Sequence, residues 1–159
     1  MQIRVIAVGR IKEKYLQEGI AEYEKRLRPY VKLQTAVLAE EKRPQPASPS
    51  NESAAIEKEG ERILEAIPEG SFLITLDVHG ESWSSEDLAA LFGERELSRQ
   101  NILTFVIGGD LGLSPGVIAR SNLRLSLSHM TFTHPMARFI LLEQVYRAFR
   151  ILRGEPYHK

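Results

Sequence analysis

The chain has 159 residues and 43% apolar content, which fits one globular domain burying roughly two-thirds of its unfolded surface. The absence of cysteine excludes a disulfide framework, a thiolate metal site and a cysteine nucleophile. The formal net charge is zero and no apolar run approaches membrane-spanning length. The N-terminal run is too short for a secretion signal, so a cytoplasmic protein without membrane attachment is expected.

Ile3 to Val8 is β-branched and mostly apolar and reads as a buried strand ending at Gly9. From Lys12 to Leu27 the period changes: Leu16, Ile20, Tyr23 and Leu27 fall at helical spacing, and Pro29 ends the helix. Val31 to Leu38 reads as a second strand. Glu40 to Ser53 contains Pro44, Pro46 and Pro49 among Ser and Asn, the composition of a surface loop. A helix is predicted over 54–67, weakened by Gly60, which costs about 1 kcal/mol relative to alanine. Phe72 to Val78 is predicted as a strand, with a turn at His79-Gly80. Ser84-Ser-Glu-Asp87 has the form of a capping box opening a helix with Leu88, Leu91 and Phe92 on one stripe. Ile102 to Ile107 is a nearly unbroken apolar strand of the kind buried on both faces. Leu123 to Leu127 is a further strand. The last helix has Pro135 in its first turn and Thr133 or His134 as cap, and it ends before Gly154. The order β-α-β-α-β-α-β-(α)-β-α defines an α/β fold with a mainly parallel sheet.

The last helix has no single apolar stripe. Its apolar residues, among them Phe139, Leu142, Val145, Tyr146 and Phe149, cover most of its circumference, so it needs cover on more than one side. A small α/β domain offers one sheet. The second cover is therefore expected to be another subunit, with Phe139, Leu142, Tyr146 and Phe149 in a homodimer interface.

Charge is unevenly distributed along the chain. Residues 1–110 carry 14 basic and 19 acidic groups, whereas residues 111–159 carry seven and two. Between Leu111 and Arg153 there are six arginines, no lysine and one acid, Glu143. Such asymmetry points to nucleic acid or a membrane surface, with a solvated helix face as the alternative, and the choice of arginine, which binds phosphate bidentately and stacks on bases, favours a phosphate partner. Arg138, Arg147, Arg150 and Arg153, placed at or near the ligand end of the chain, are the candidate nucleic-acid contacts, and the resemblance described below makes that nucleic acid RNA. Arg147 also stands four residues after Glu143, the spacing of a helical ion pair.

The segment Gly108-Gly-Asp-Leu-Gly112 follows a buried strand, where α/β proteins hold small ligands. Its glycines do not fit the Gly-x-Gly-x-x-Gly spacing of dinucleotide binding, no acid follows before Glu143 to hold a ribose, and it lacks the lysine of a P-loop. The expected ligand is uncharged or cationic and held by backbone groups. His79, His129, His134 and His158 show no metal-ligand spacing, so no metal is expected.

Ile107-Gly-Gly-Asp-Leu-Gly-Leu113, Leu125-Ser-Leu-Ser128, Met130-Thr-Phe-Thr-His-Pro-Met-Ala-Arg138, Leu142-Glu-Gln-Val-Tyr-Arg-Ala148 and Pro156-Tyr-His158 together resemble the ribosomal large-subunit methyltransferase H family. These are SPOUT-class enzymes that use S-adenosylmethionine to methylate N3 of a pseudouridine in large-subunit rRNA. Ile3 to Gly9 and Leu76-Asp77 fit as well, so the resemblance spans essentially the whole chain. It implies a C-terminal trefoil knot, a homodimer acting on the assembled ribosome, and cofactor contacts at Leu76, Gly108, Leu127, Ser128, His129, Met130, Thr131 and Phe132. A non-catalytic RNA-binding or ribosome-assembly module with the same fold is the competing reading. Deprotonating the target ring N–H calls for a base that titrates near neutrality, a property of histidine. His158 is the candidate, with Tyr157 beside it to stack on or hydrogen-bond the base. His134 is expected to cap the last helix and His129 to shape the pocket.

Overall fold

The computed structural model describes residues 1–98 and 101–157. Five parallel strands form one sheet in the order β2-β1-β4-β3-β5, made of β1 (Gln2–Val8), β2 (Lys32–Leu38), β3 (Phe72–Ser82), β4 (Ile102–Ile107) and β5 (Leu123–Ser126). The helices between and after them are α1 (Lys14–Leu27), α2 (Pro49–Ala66), α3 (Ser85–Leu97), α4 (Pro115–Arg120) and α5 (His134–Leu152).

Strand alternation divides the core into two layers. Ile3, Val5 and Ala7 of β1, with Leu103, Phe105 and Ile107 of β4, face α1, α3 and α5. Ile6, Val8 and Val106 point the other way, onto Ile63 of α2 and Val117 of α4. Both faces of the sheet are covered, which is why β1 and β4 read as continuous apolar runs. The predicted capping box is present: Asp87 N–H donates to Ser84 Oγ at 3.1 Å, and Ser84 N–H donates to Asp87 Oδ2 at 2.8 Å.

Three expectations are corrected. The loop expected to run to Ser53 ends at Ser48, whose hydroxyl caps α2 by accepting from Asn51 N–H at 3.2 Å. Pro49, read as loop punctuation, occupies the first helical turn, where its missing N–H costs nothing. The turn expected at His79-Gly80 is instead part of β3, which continues to Ser82 through an irregularity in its pairing with β5. There the backbone of Arg124 comes so close that a Cβ on Gly80 would lie 2.5 Å from its carbonyl oxygen.

The third correction concerns α5. Leu142 and Phe149, assigned from the sequence to a subunit interface, are 0% exposed within the single chain. Helix α5 lies across β1 and β4 with α1 on one flank and α3 on the other. Phe149 rests 5.1 Å from the Phe92 ring of α3 and 5.8 Å from Tyr30. For Leu142 and Phe149 the cover comes from neighbouring elements of the same chain. Phe139 and Tyr146 remain half-buried, in an aromatic cluster with Tyr23.

Candidate functional site

The carboxyl ends of β3, β4 and β5 open into a cleft of about 790 Å³. Leu76, Asp77, Val78 and His79 come from β3, Ile107 and the glycine loop follow from β4, Leu127, Ser128 and residues 130–133 come from the segment after β5, and His134 and Ala137 from the start of α5. The position is the one where open parallel sheets bind ligands, and the volume is that of a small-molecule site.

Local hydrogen bonds fix its walls. Gly112 N–H donates to Gly109 O at 3.1 Å, closing the loop into a tight turn with Gly112 at φ +87°. Beyond β5, Ser126 Oγ donates to Ser128 O at 2.9 Å and Met130 N–H to Ser128 Oγ at 3.0 Å, turning the chain back toward α5. Gly108 lies against Gly112, whose carbonyl oxygen would stand 3.2 Å from an added Cβ, so a side chain there would intrude on the loop. The side walls are mainly apolar: Leu76, Ile107, Leu113, Ile118, Leu127 and Phe132.

Two charged pairs border the cleft, and the sequence signalled neither. Arg124 grips Asp77 Oδ2 through Nη2 at 2.6 Å and Nε at 3.1 Å, while His79 N–H donates to Asp77 Oδ1 at 2.9 Å. Burial works to raise the Asp77 pKa, but the His79 amide and the Arg124 guanidinium overcome it and hold the carboxyl below its ordinary value. The pair neutralises an arginine of β5 that a phosphate would need. His134, expected as a possible helix cap, is instead a first-turn residue after the cap Thr133, and its Nδ1 lies 3.2 Å from Asp110 Oδ1.

Seven of the eight cofactor positions implied by the resemblance line this one cleft: Leu76, Gly108, Leu127, Ser128, Met130, Thr131 and Phe132. His129, the eighth, does not line it; its side chain is exposed, contrary to its expected role in shaping the pocket.

The other predicted residues are placed differently. His158 lies outside the described residues. Tyr157 lies against α5, its ring 4.9 Å from Tyr146, and its hydroxyl donates to Glu143 Oε1 at 3.0 Å and bonds Tyr23 Oη at 3.1 Å. Burial, then the Tyr23 and Glu143 hydrogen bonds, push its pKa well above the ordinary phenol value, so the hydroxyl holds its proton more firmly than a free phenol. Glu143 stands nine residues after His134, about 14 Å along the helix, so Tyr157 sits well away from the cleft of its own chain.

The four arginines are likewise not all at the ligand end, as expected from the sequence. Arg138 is near it, with its side chain 11% exposed and 3.6 Å from Glu24. Arg147, Arg150 and Arg153 lie roughly 20 to 28 Å along the helix axis from His134 at the cleft. Each has an internal acid: Arg147 pairs with Glu143 at 2.5 Å, Arg150 with Glu155 at 2.5 Å and Arg153 with Glu96 at 3.0 Å. The i, i+4 pairing of Arg147 with Glu143 is the one the sequence spacing marks.

A cleft at the carboxyl ends of parallel strands, walled mainly by apolar side chains and backbone and without a phosphate cradle, defines an α/β protein built to take a small ligand. A family model described as "Predicted SPOUT methyltransferase" matches residues 1–158, and the chain belongs to this family. The chain is 58% identical to a relative from Methanoregula boonei over 159 residues, all of both chains. It is 52% identical, on the same full coverage, to the ribosomal RNA large subunit methyltransferase H of Carboxydothermus hydrogenoformans. The protein of that name from Symbiobacterium thermophilum is 51% identical over 161 residues, again covering both chains entirely.

Proposed function

We propose that the protein is an S-adenosylmethionine-dependent rRNA methyltransferase that modifies N3 of a pseudouridine in the large subunit, on the assembled ribosome in the cytoplasm. The observation that carries this reading is the convergence of Leu76, Gly108, Leu127, Ser128, Met130, Thr131 and Phe132 on one cleft. The apolar walls suit an adenine ring, and the backbone of the glycine loop supplies donors and acceptors. No metal is invoked, and among the described residues no three His, Asp or Glu side chains are grouped to hold one.

When bound, the donor supplies a sulfonium-activated methyl group, which passes to the ring nitrogen as the N–H proton leaves and the donor is left as its thioether. The chain's own part is to align and to deprotonate. Leu76, Leu127 and Phe132 hold the nucleoside, the 108–112 backbone fixes its polar edge, and His158 takes the proton with Tyr157 against the target base.

Tyr157 lies on the flank of α5, away from its own cleft, and this supports a homodimer in which each tail serves the partner's cleft. Phe139 and Tyr146, half-buried beside Tyr157, and the exposed Met130 at the cleft rim are the apolar surface such an interface would use. The C-terminal trefoil knot implied by the resemblance belongs to the same proposal, with residues 127–133 as its ligand-binding turn.

Purified protein is expected to bind S-adenosylmethionine in a calorimetric titration and to transfer its labelled methyl group to large-subunit rRNA. Binding of RNA without any uptake of the donor would favour the assembly-module reading. A second expectation concerns the arginines. Arg150→Ala with Arg153→Ala should weaken ribosome binding and reduce its salt slope by about one counterion for each phosphate no longer neutralised. An unchanged slope would leave these arginines to their pairs with Glu155 and Glu96.

A further inference from the structure

A smaller pocket of about 250 Å³ adjoins the main cleft and shares Arg43, Asp110 and Leu111 with it. Its walls carry Glu40, Glu41, Lys42, Arg43, Glu59 and Asp110. Glu59, on the inner face of α2, is 4% exposed. Its Oε1 accepts the Glu41 N–H at 2.8 Å, but its buried Oε2 has no hydrogen-bond partner among the described residues. A Cβ on Gly109 would lie 3.2 Å from that same oxygen, so Glu59 reaches the underside of the glycine loop whose other side lines the main cleft.

A buried carboxylate oxygen without a donor is costly, and folded proteins keep such a group where a ligand or a mechanism needs it. Arg62 does not fill the gap, since its guanidinium is taken by Glu41 and the Ala39 carbonyl. The pocket is short of positive charge, with the carboxyls of Glu40, Glu41, Glu59 and Asp110 facing only Lys42 and Arg43, and burial followed by the nearby Glu40 and Glu41 carboxylates pushes the Glu59 pKa up. The missing partner is a hydrogen-bonding cation. Among the described residues these acids are not grouped to hold a metal ion, and an organic ammonium meets the same need for a charged donor. Lys42 and Arg43 on the same wall add a place for a carboxylate. An ammonium beside a carboxylate is the head of an α-amino acid, and one end of S-adenosylmethionine has this form.

We propose that the smaller pocket is the subsite for the aminoacyl end of the methyl donor, with Glu59 accepting a hydrogen bond from its α-ammonium and Arg43 facing its carboxylate. This rests on the donor assignment made above and adds to it a binding residue on α2, remote in sequence from the cleft segments.

The test compares S-adenosylhomocysteine with 5′-methylthioadenosine, which share the nucleoside and thioether but differ in the aminoacyl group. Calorimetry on the full chain should show Glu59→Gln binding S-adenosylhomocysteine about tenfold or more weakly, the scale of one charged hydrogen bond, with methylthioadenosine changed less than about twofold. Because burial disfavours the Glu59 charge, the variant should melt no lower than the wild type. Arg43→Gln, at an exposed position, should show the same selective loss. Equal weakening of both ligands, or of neither, overturns the subsite, and a lower melting point with loss of both assigns Glu59 to support of the loop. Failure of the wild type to bind either compound would instead remove the donor assignment itself.

Discussion

Phe149→Ala is expected to destabilise the subunit by about 3–5 kcal/mol, the cost of emptying a fully buried aromatic site. Phe149 is 0% exposed and packs between Phe92 of α3 and Tyr30 after α1, so its removal opens the seam joining both helices to α5. For a chain of this length each kcal/mol lowers the melting midpoint by about 2–4 °C. The loss should be the same at all protein concentrations, because the packing lies inside one chain. Thermal melts across a hundredfold concentration range, with sedimentation beside them, check this. If the melting point held while subunits dissociated more readily, Phe149 would belong to the interface the sequence pattern pointed to.

Deleting residues 157–159 should leave binding of S-adenosylmethionine intact while methyl transfer falls by at least about 100-fold, the lower end of what a positioned general base contributes. Binding survives because the cleft walls are drawn from segments between Arg43 and Ala137, well before the tail. Stability should fall only modestly, since Tyr157 is half-buried and contributes one ring packing with Tyr146 and two hydroxyl hydrogen bonds. Calorimetry and a single-turnover assay on ribosomes separate the two effects. Normal turnover by the truncated chain would refute the assignment of Tyr157 and His158 to the chemistry. Mixing truncated subunits with a cleft-disabled variant adds a direct test of sharing between subunits: recovered activity requires that the tail of one serves the cleft of the other.

The site was unevenly legible in the sequence. The segments that line the cleft were recognisable through their likeness to the family, because each is a short contiguous run, Ile107 to Leu113 or Met130 to Arg138, that can be read as a motif. Glu59 carried no such mark. It lies in a helix full of acids, and only the approach of Gly109 and the burial of its second oxygen distinguish it from Glu57 or Glu61. The arginines were misplaced for a related reason. Their clustering in sequence is real, but a helix rises 1.5 Å per residue and carries Arg153 to the opposite end of α5 from His134.

By itself the sequence determined the alternation of strands and helices, the burial of β1, the two-sided burial of β4 and the capping box at Ser84, because these depend on periodicity and on groups a few residues apart. Gly60 marks where that reading stops. Read locally, it is a weak point of α2, about 1 kcal/mol worse than alanine. In the fold it is the place where α2 meets the start of α4: an added Cβ would overlap the Ser114 hydroxyl and lie 2.7 Å from Ser114 Cβ. That hydroxyl caps α4 by accepting Val117 N–H. The same distinction governs α5, whose all-round apolarity states that it must be covered but not by what. Only the tertiary structure decided that neighbouring elements of the same chain cover Leu142 and Phe149, since packing between segments far apart in sequence leaves no periodic trace in either one.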